Sequence, residues 1–255
     1  MTDKDYLSFL RTPTEDHPLR ILLSACLIGT LCGADGSSYG DYPHIKALAS
    51  RSHVTITSFC PENYAFGTPR EIPDIQGGNG ADVLDGKAMV ITETGKDITE
   101  GMIRAANKML EIARLNHIEL AIMMDVSAAC GSQVIYKGHR LSPDPQYQIG
   151  MGVCAELLTR NGFKVISQRD FRSLDILLTK IDDAHVPDLT AIDHDETEWY
   201  RQYFGKRVLV LVSARALRTC LLEYLGLPGR RDPTAWKAVV PHWSSFEELR
   251  RLGIR

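Results

Sequence analysis

RILLSACLIGTLCGADGSSYGDYPHIKALASRSHVTITSFCPE, residues 20–62, decides the fold. Its two apolar runs, Arg20 to Ala25 and HVTITSF at 53–59, are short, rich in branched residues and bounded by turn formers, so both read as buried strands. Between them the glycines and small residues of CLIGTLCGADGSSYGDYP allow tight turns, and a short helix from about His44 to Ser50 returns the chain. This is a βαβ unit, which winds right-handed and leaves its strands parallel. Parallel sheets take ligands beyond the carboxyl ends of their strands, where Cys26 and Cys60 both fall.

The pattern continues outward. After Thr99, which can cap a helix, Met102, Ile103, Ala106, Met109, Leu110 and Ala113 recur at helical spacing. Strand IELAIMM (118–124) leads into the loop DVSAACGSQVIYKGHRLSPDPQYQIG and Cys130. A helix near Met151 to Arg160, closed by Asn161-Gly162, and strand FKVIS follow. Four strands alternating with helices predict an α/β fold, a Rossmann-like parallel sheet flanked by helices. PENYAFGTPREIPDIQGGNG (61–80) holds three prolines and four glycines, so Asn63 to Gly80 reads as loop. ADVLDGKAMVITETGKD (81–97) suggests a short hairpin around Thr94-Gly95. Residues 1–19 read as a flexible lead-in, 20–170 as the main domain and 171–255 as a small α/β or helical extension. The run RVLVLVSARALRTCLLEYLGL in that extension is interrupted by arginines and reads as a strand and an amphipathic helix, not a membrane span.

With 255 residues, 44% hydrophobic and 24% charged, the chain can bury one good core and a small second domain. A net charge of -3 argues against phosphate binding over the whole surface but leaves room for a local basic patch. The segment MTDKDYLSFLRTPTEDHPLR has no stretch apolar enough for a signal peptide or a membrane helix, so a cytoplasmic location is expected. In a reducing compartment six cysteines are thiols or ligands rather than a disulfide framework.

Cys26, Cys60 and Cys130 each lie at or just past a strand end, beside glycine, proline or serine. Three soft ligands converging on one edge imply a metal or a cluster. Cys154 and Cys220 sit inside apolar helical stretches and read as packing residues. Cys32 is a fourth ligand, a resolving thiol or a bystander. Zinc favours four ligands, usually with a C-x2-C pair, and no such pair occurs. Iron–sulfur clusters accept scattered thiolates, and one with three protein ligands keeps an iron open as a Lewis acid. Glu62, two residues after Cys60 across a proline, is placed to act on protons beside a bound metal, and desolvation there would suit a proton donor. Ser127 and Ser132 bracket Cys130 and can donate to a substrate, Arg70 can clamp an anion or stack on a planar base, and Asp35 reads as a turn former. His139 is the one histidine in a loop near the expected mouth. No G-x-G-x-x-G, P-loop or G-x-S-x-G occurs.

Taken in order, Ser24-Ala25-Cys26-Leu27-Ile28-Gly29 with Cys32 and Asp35-Gly36, Cys60-Pro61-Glu62, Thr68-Pro69-Arg70, Gly77-Gly78-Asn79-Gly80, Val83-Leu84-Asp85-Gly86 and Ser127-Ala128-Ala129-Cys130-Gly131-Ser132 resemble the thiouracil desulfidase family over about residues 20 to 168. The resemblance implies a [4Fe-4S] cluster held by Cys26, Cys60 and Cys130, an open iron that takes a thiocarbonyl sulfur, and proton handling by the acid matching Glu62. It implies a small thiolated pyrimidine base or nucleoside as substrate, and uracil and sulfide as products of a non-redox hydrolysis; the roughly 85-residue extension after Ser167, which the family core lacks, makes thiolated RNA a further candidate substrate. Soft iron prefers sulfur to oxygen, which agrees with that chemistry. The usual Ser-Pro-Ser-Cys-Gly stands here as Ser127-Ala128-Ala129-Cys130-Gly131, losing a proline and a hydroxyl. That loss keeps alive a rival reading, an iron–sulfur or sulfur-carrier protein without turnover. A zinc hydrolase is a third reading, disfavoured by the missing fourth ligand.

Overall fold

The computed structural model describes residues 5–40 and 42–205. Strands β1 (Leu19–Ser24), β2 (Val54–Phe59), β5 (Leu120–Met123) and β8 (Lys164–Ser167) form the main sheet in the order β2-β1-β5-β8. All three pairings are parallel, with Ile21 opposite both Ile56 and Leu120. The predicted Rossmann-like sheet is therefore present.

Side chains alternate along each strand and build two cores, one on each face. Leu22, Ala121, Met123 and Val165 point to the face covered by α5 (Thr99–Leu115) and α6 (Val153–Arg160). Ile21, Leu23, Leu120, Ile122 and Ile166 point to the other, against α2 (Pro43–Ala49) and α7 (Phe171–Ile181). Every residue of β5 is buried, as a strand covered on both faces must be. Each such Leu or Ile contributes about 1.5–3 kcal/mol on leaving water.

Helix α5 carries Met102, Ala106, Met109, Leu110 and Ala113 of the predicted stripe to the core, with Ala105 buried beside them and Ile103 only half-buried. Thr99 is its first residue, not its cap: the hydroxyl donates to Asp97 and accepts from the Val90 N–H. Within residues 1–19, α1 (Asp5–Phe9) and the turn after it bury Leu7 and Leu10 in the second core, and Arg11 pairs with Glu119 at 2.8 Å.

The stretch from Asn63 to Gly80, expected as loop, is about half helix and strand, with loop between. Helix α3 (Pro61–Phe66) starts on a proline, which suits a first turn whose N–H would have no partner. Strand β3 (Pro73–Gln76) tolerates Pro73 as its first residue. Helix α4 (Gly80–Leu84) opens on an Asn79/Asp82 capping box. The turn at Thr94-Gly95 exists, but β4 (Met89–Thr92) pairs antiparallel with β3, leaving the expected local hairpin a single bridge, Ile91 to Asp97. A second antiparallel pair, β6 (Val134–Tyr136) with β7 (Tyr147–Ile149), rises from the loop after β5.

The chain divides into two compact units at Thr197. In the second, residues 198–205 are helical. The run RVLVLVSARALRTCLLEYLGL and Cys220 lie outside the described residues. No helix among the described residues is long and apolar enough to cross a membrane.

Candidate functional site

β2, β1 and β5 are neighbours in the sheet, so the residues that follow them meet at one edge. Cys26 lies in the 3-10 turn Ala25–Ile28 directly after β1, and Cys60 is the cap residue of α3 directly after β2, its Sγ accepting from the Asn63 N–H at 3.3 Å. Cys130 sits in the turn after β5, its N–H donating to Ser127 Oγ at 3.0 Å. All three line one cavity of about 590 Å³ including its open mouth, together with Cys32, Glu62 and Ser127.

The thiols press on one another electrostatically. Burial, followed by Cys32, Cys60 and Glu62, pushes Cys26 up to about 12. Burial and then Cys60 push Cys32 up to about 12 as well. Cys130 is raised well above its ordinary value by burial, then by Cys154, with Cys26 and Cys60 adding and a hydrogen bond with Ser24 opposing. Each thiolate therefore makes the next harder to form, and bound positive charge relieves that repulsion. No group of three or more His, Cys, Asp or Glu among the described residues is close enough to hold a single metal ion. A tetrahedral zinc needs its sulfurs about 3.8 Å apart, from Zn–S bonds of about 2.3 Å.

Glu62 is held from two sides. Arg70 Nη2 and Nε donate to its Oε2 at 2.7 and 3.3 Å, and Ser127 Oγ donates to its Oε1 at 3.2 Å. The ion pair is withdrawn from solvent, with side-chain exposures of 5% for Arg70 and 13% for Glu62. Both carboxylate oxygens act as acceptors, so the side chain is fixed in place from both sides. Arg70 also donates to Thr68 Oγ1, Gly67 O and Gly33 O, tying α3 to the turn that carries Cys32. Its place in the cavity wall makes it part of the site.

Ser127 Oγ accepts from the N–H groups of Ala129 and Cys130 while donating to Glu62, so one hydroxyl couples the thiol turn to the carboxylate. Ala128 and Ala129 are buried, and a side chain on Gly152 would meet Ala128 O and Ala129 O at 2.7 Å. The first turn of α6 packs directly on the backbone of the Cys130 turn, the Val153 and Cys154 N–H groups donating to Ala128 O and Ala129 O, so position 152 has room only for glycine. Cys154 is fully buried in the core beneath. Ser132 is buried outside the cavity lining, and Asp35 accepts from the Ser37 N–H and hydroxyl as a turn former. His139 does not line the cavity, but its neighbour Arg140 does.

Arg140, Tyr39 and Asp125 are cavity residues that the sequence did not single out. Arg140 pairs with buried Asp74 at 2.8 Å and lies 5.0 Å from the Tyr136 ring centre. Asp125, immediately after β5, accepts from the N–H groups of Ser132, Gln133 and Val134 at 3.1 Å and from His194 Nδ1 at 2.7 Å. Burial alone would push its carboxyl up, but the His194 bond and the backbone donors outweigh it and hold it below the usual carboxylate range. The next residue, Val126, has φ of 60°, a conformation costing a branched residue about 1–3 kcal/mol unless its surroundings impose it. The sequence signal was present in Asp125, a carboxylate at a strand's carboxyl end, but its histidine partner lies far along the chain.

A parallel sheet with cysteines at three adjacent strand ends, beside an acid held by an arginine and a serine, defines a thiol-rich α/β site. A family model described as 2-thiouracil desulfurase matches residues 21–170, and the chain belongs to that family. It is 36% identical over 155 residues to the uncharacterized protein YbbK of Bacillus subtilis (strain 168), covering 60% of this chain and 99% of YbbK. Among solved structures it is similar to the [4Fe-4S]-dependent thiouracil desulfidase TudS. Identity there is 30% and the TM-score 0.53, over 64% of this chain and 99% of that one.

Proposed function

We propose that this chain removes sulfur from a thiolated pyrimidine, giving the oxo-pyrimidine and sulfide by non-redox hydrolysis, with Cys26, Cys60 and Cys130 holding a [4Fe-4S] cluster. The observation that carries it is the convergence of those thiols in one cavity from three adjacent strands. The family and the similar desulfidase structure support the same chemistry. When bound, a cluster with three protein ligands supplies an open iron, a soft Lewis acid that polarises a carbon–sulfur bond.

The chain's own residues do the rest. Glu62 takes a proton from water, held in place by Arg70 and Ser127. Ser127 keeps Cys130 and the carboxylate in register. One water supplies the oxygen that replaces sulfur, and its protons leave with the sulfide. The catalytic unit is residues 20–170. The thiols require a reducing compartment such as the cytoplasm. A free base or nucleoside is the substrate we favour over thiolated RNA.

Cys32, a fourth thiol lining the same cavity, favours a second reading in which sulfide is kept at the cluster without turnover. Anaerobic reconstitution with iron and sulfide, followed by an absorption spectrum and a sulfide-release assay with 2- and 4-thiouracil, separates them. Repeated turnover supports the enzyme, one equivalent of sulfide per chain supports the carrier, and a colourless protein overturns the cluster.

A further inference from the structure

We infer that His194 is a positioning residue that locks the Cys130 loop through Asp125. It lies beyond the family-matched segment, which ends at residue 170, and the inference rests on the ligand role proposed for Cys130.

The loop from Asp125 to Val134 has little regular structure to hold it, and its second residue, Val126, lies in the left-handed region. Asp125 turns that stretch into a closed ring by accepting three consecutive N–H groups at its far end. The carboxylate is fully enclosed, with a side-chain exposure of 0%, and His194, at 4%, is the side chain that donates to its second oxygen. An enclosed carboxylate that lost this donor would keep its charge only at a cost, so the ring and the histidine stand or fall together.

His194 is itself fixed at both ends. Its N–H donates to Asp170 Oδ1, and Asp170 Oδ2 accepts from Gln133 Nε2 and from the Ser167 N–H. The same aspartate thus grips the histidine, the loop and the end of β8. The preceding residue, Asp193, accepts from the N–H and hydroxyl of Ser173 near the start of α7. Gln168 Oε1 accepts from the Asp125 N–H at 2.7 Å and completes the enclosure. The turn at 193–196 is therefore a strap that α7 delivers to the back of the site. In a chain whose thiol loop has alanines at 128 and 129, the rigidity comes from this strap.

The test compares His194→Ala with His194→Asn in the full chain, before and after anaerobic reconstitution. An asparagine places its side-chain N–H where Nδ1 stands. Two readouts are followed: hydrogen exchange at the amides of Ser132, Gln133 and Val134 against those of β1, and the rate at which a chelator removes iron. His194→Ala is expected to speed exchange at the three amides by about ten- to a hundredfold with β1 unchanged, and to speed iron loss. His194→Asn should restore both to within about twofold of the parent. Unchanged exchange in His194→Ala overturns the inference, as does an asparagine no better than alanine. Should the alanine variant not fold, His194→Gln, whose donor is displaced by one methylene, takes its place with the same expected result. If the parent chain binds no iron, the cluster reading fails, while the exchange comparison still decides whether His194 holds the loop.

Discussion

Replacing Arg70 with methionine tests whether the acid at the heart of the site is held by charge. Methionine keeps much of the volume and removes every donor. Five hydrogen bonds to Glu62, Gly67, Thr68 and Gly33 are lost, but the costs differ. Carbonyls in turns are rehydrated cheaply, whereas Glu62 is left enclosed without its counter-charge. Breaking a buried pair by removing one partner costs about 3–5 kcal/mol, against a total stability of about 5–15 kcal/mol for a domain. With a urea slope of about 1–3 kcal/mol/M, the midpoint should drop by about 1 M or more. The assay is equilibrium unfolding of the parent, Arg70→Met, Glu62→Gln and the double variant. Once Glu62 is a neutral amide the arginine has nothing to balance, so the double variant should be more stable than the two single losses predict, by about 2 kcal/mol. Additive losses, within about 0.5 kcal/mol, would refute the pairing and with it the argument that Arg70 holds Glu62 in place by charge.

Glu62→Gln should retain bound iron while lowering desulfuration by about 10²–10⁴-fold, measured as sulfide release per iron. Alanine at Cys26, Cys60 or Cys130 should abolish the brown chromophore, whereas Cys154→Ala should keep it; colour is read after anaerobic reconstitution. Gly152→Ala forces a methyl group to within 2.7 Å of two carbonyls in the Cys130 turn and should lower both stability and iron content. Asp125 has its folded carboxyl below the unfolded value of about 3.9, so its contribution is complete above that pH and is lost as pH falls through the lower folded value. Asp125→Asn should accordingly flatten the acid limb of a stability–pH curve below about pH 4, by at most about 1.4 kcal/mol per pH unit.

The strands of the main sheet were legible because burial on both faces forces unbroken apolar runs, as in Ile21 to Leu23 and Leu120 to Met123. Helix α5 was legible because one buried face forces a 3.6-residue period. The short elements α3, β3 and α4 were hidden by their prolines and glycines, which mark boundaries of small ordered pieces here as readily as they mark loops. Among the cavity residues, Cys26, Cys32, Cys60, Glu62, Arg70, Ser127 and Cys130 all stood out near strand ends. Asp125 and His194 did not, because their bond spans 69 positions and no local pattern encodes it.

The position of β1 carries a consequence for how this protein is made. The first strand to leave the ribosome ends up inside the sheet, flanked by β2 on one side and β5 on the other. An early β1–β2 pair can form while synthesis continues, but its open edge waits for β5, and the turn with Cys130 follows only then. His194 emerges later still. On the proposed reading the order of synthesis therefore separates the ligands from their support: a ribosome stalled before the 193–196 turn releases a product with Cys26, Cys60 and Cys130 but without the strap behind them.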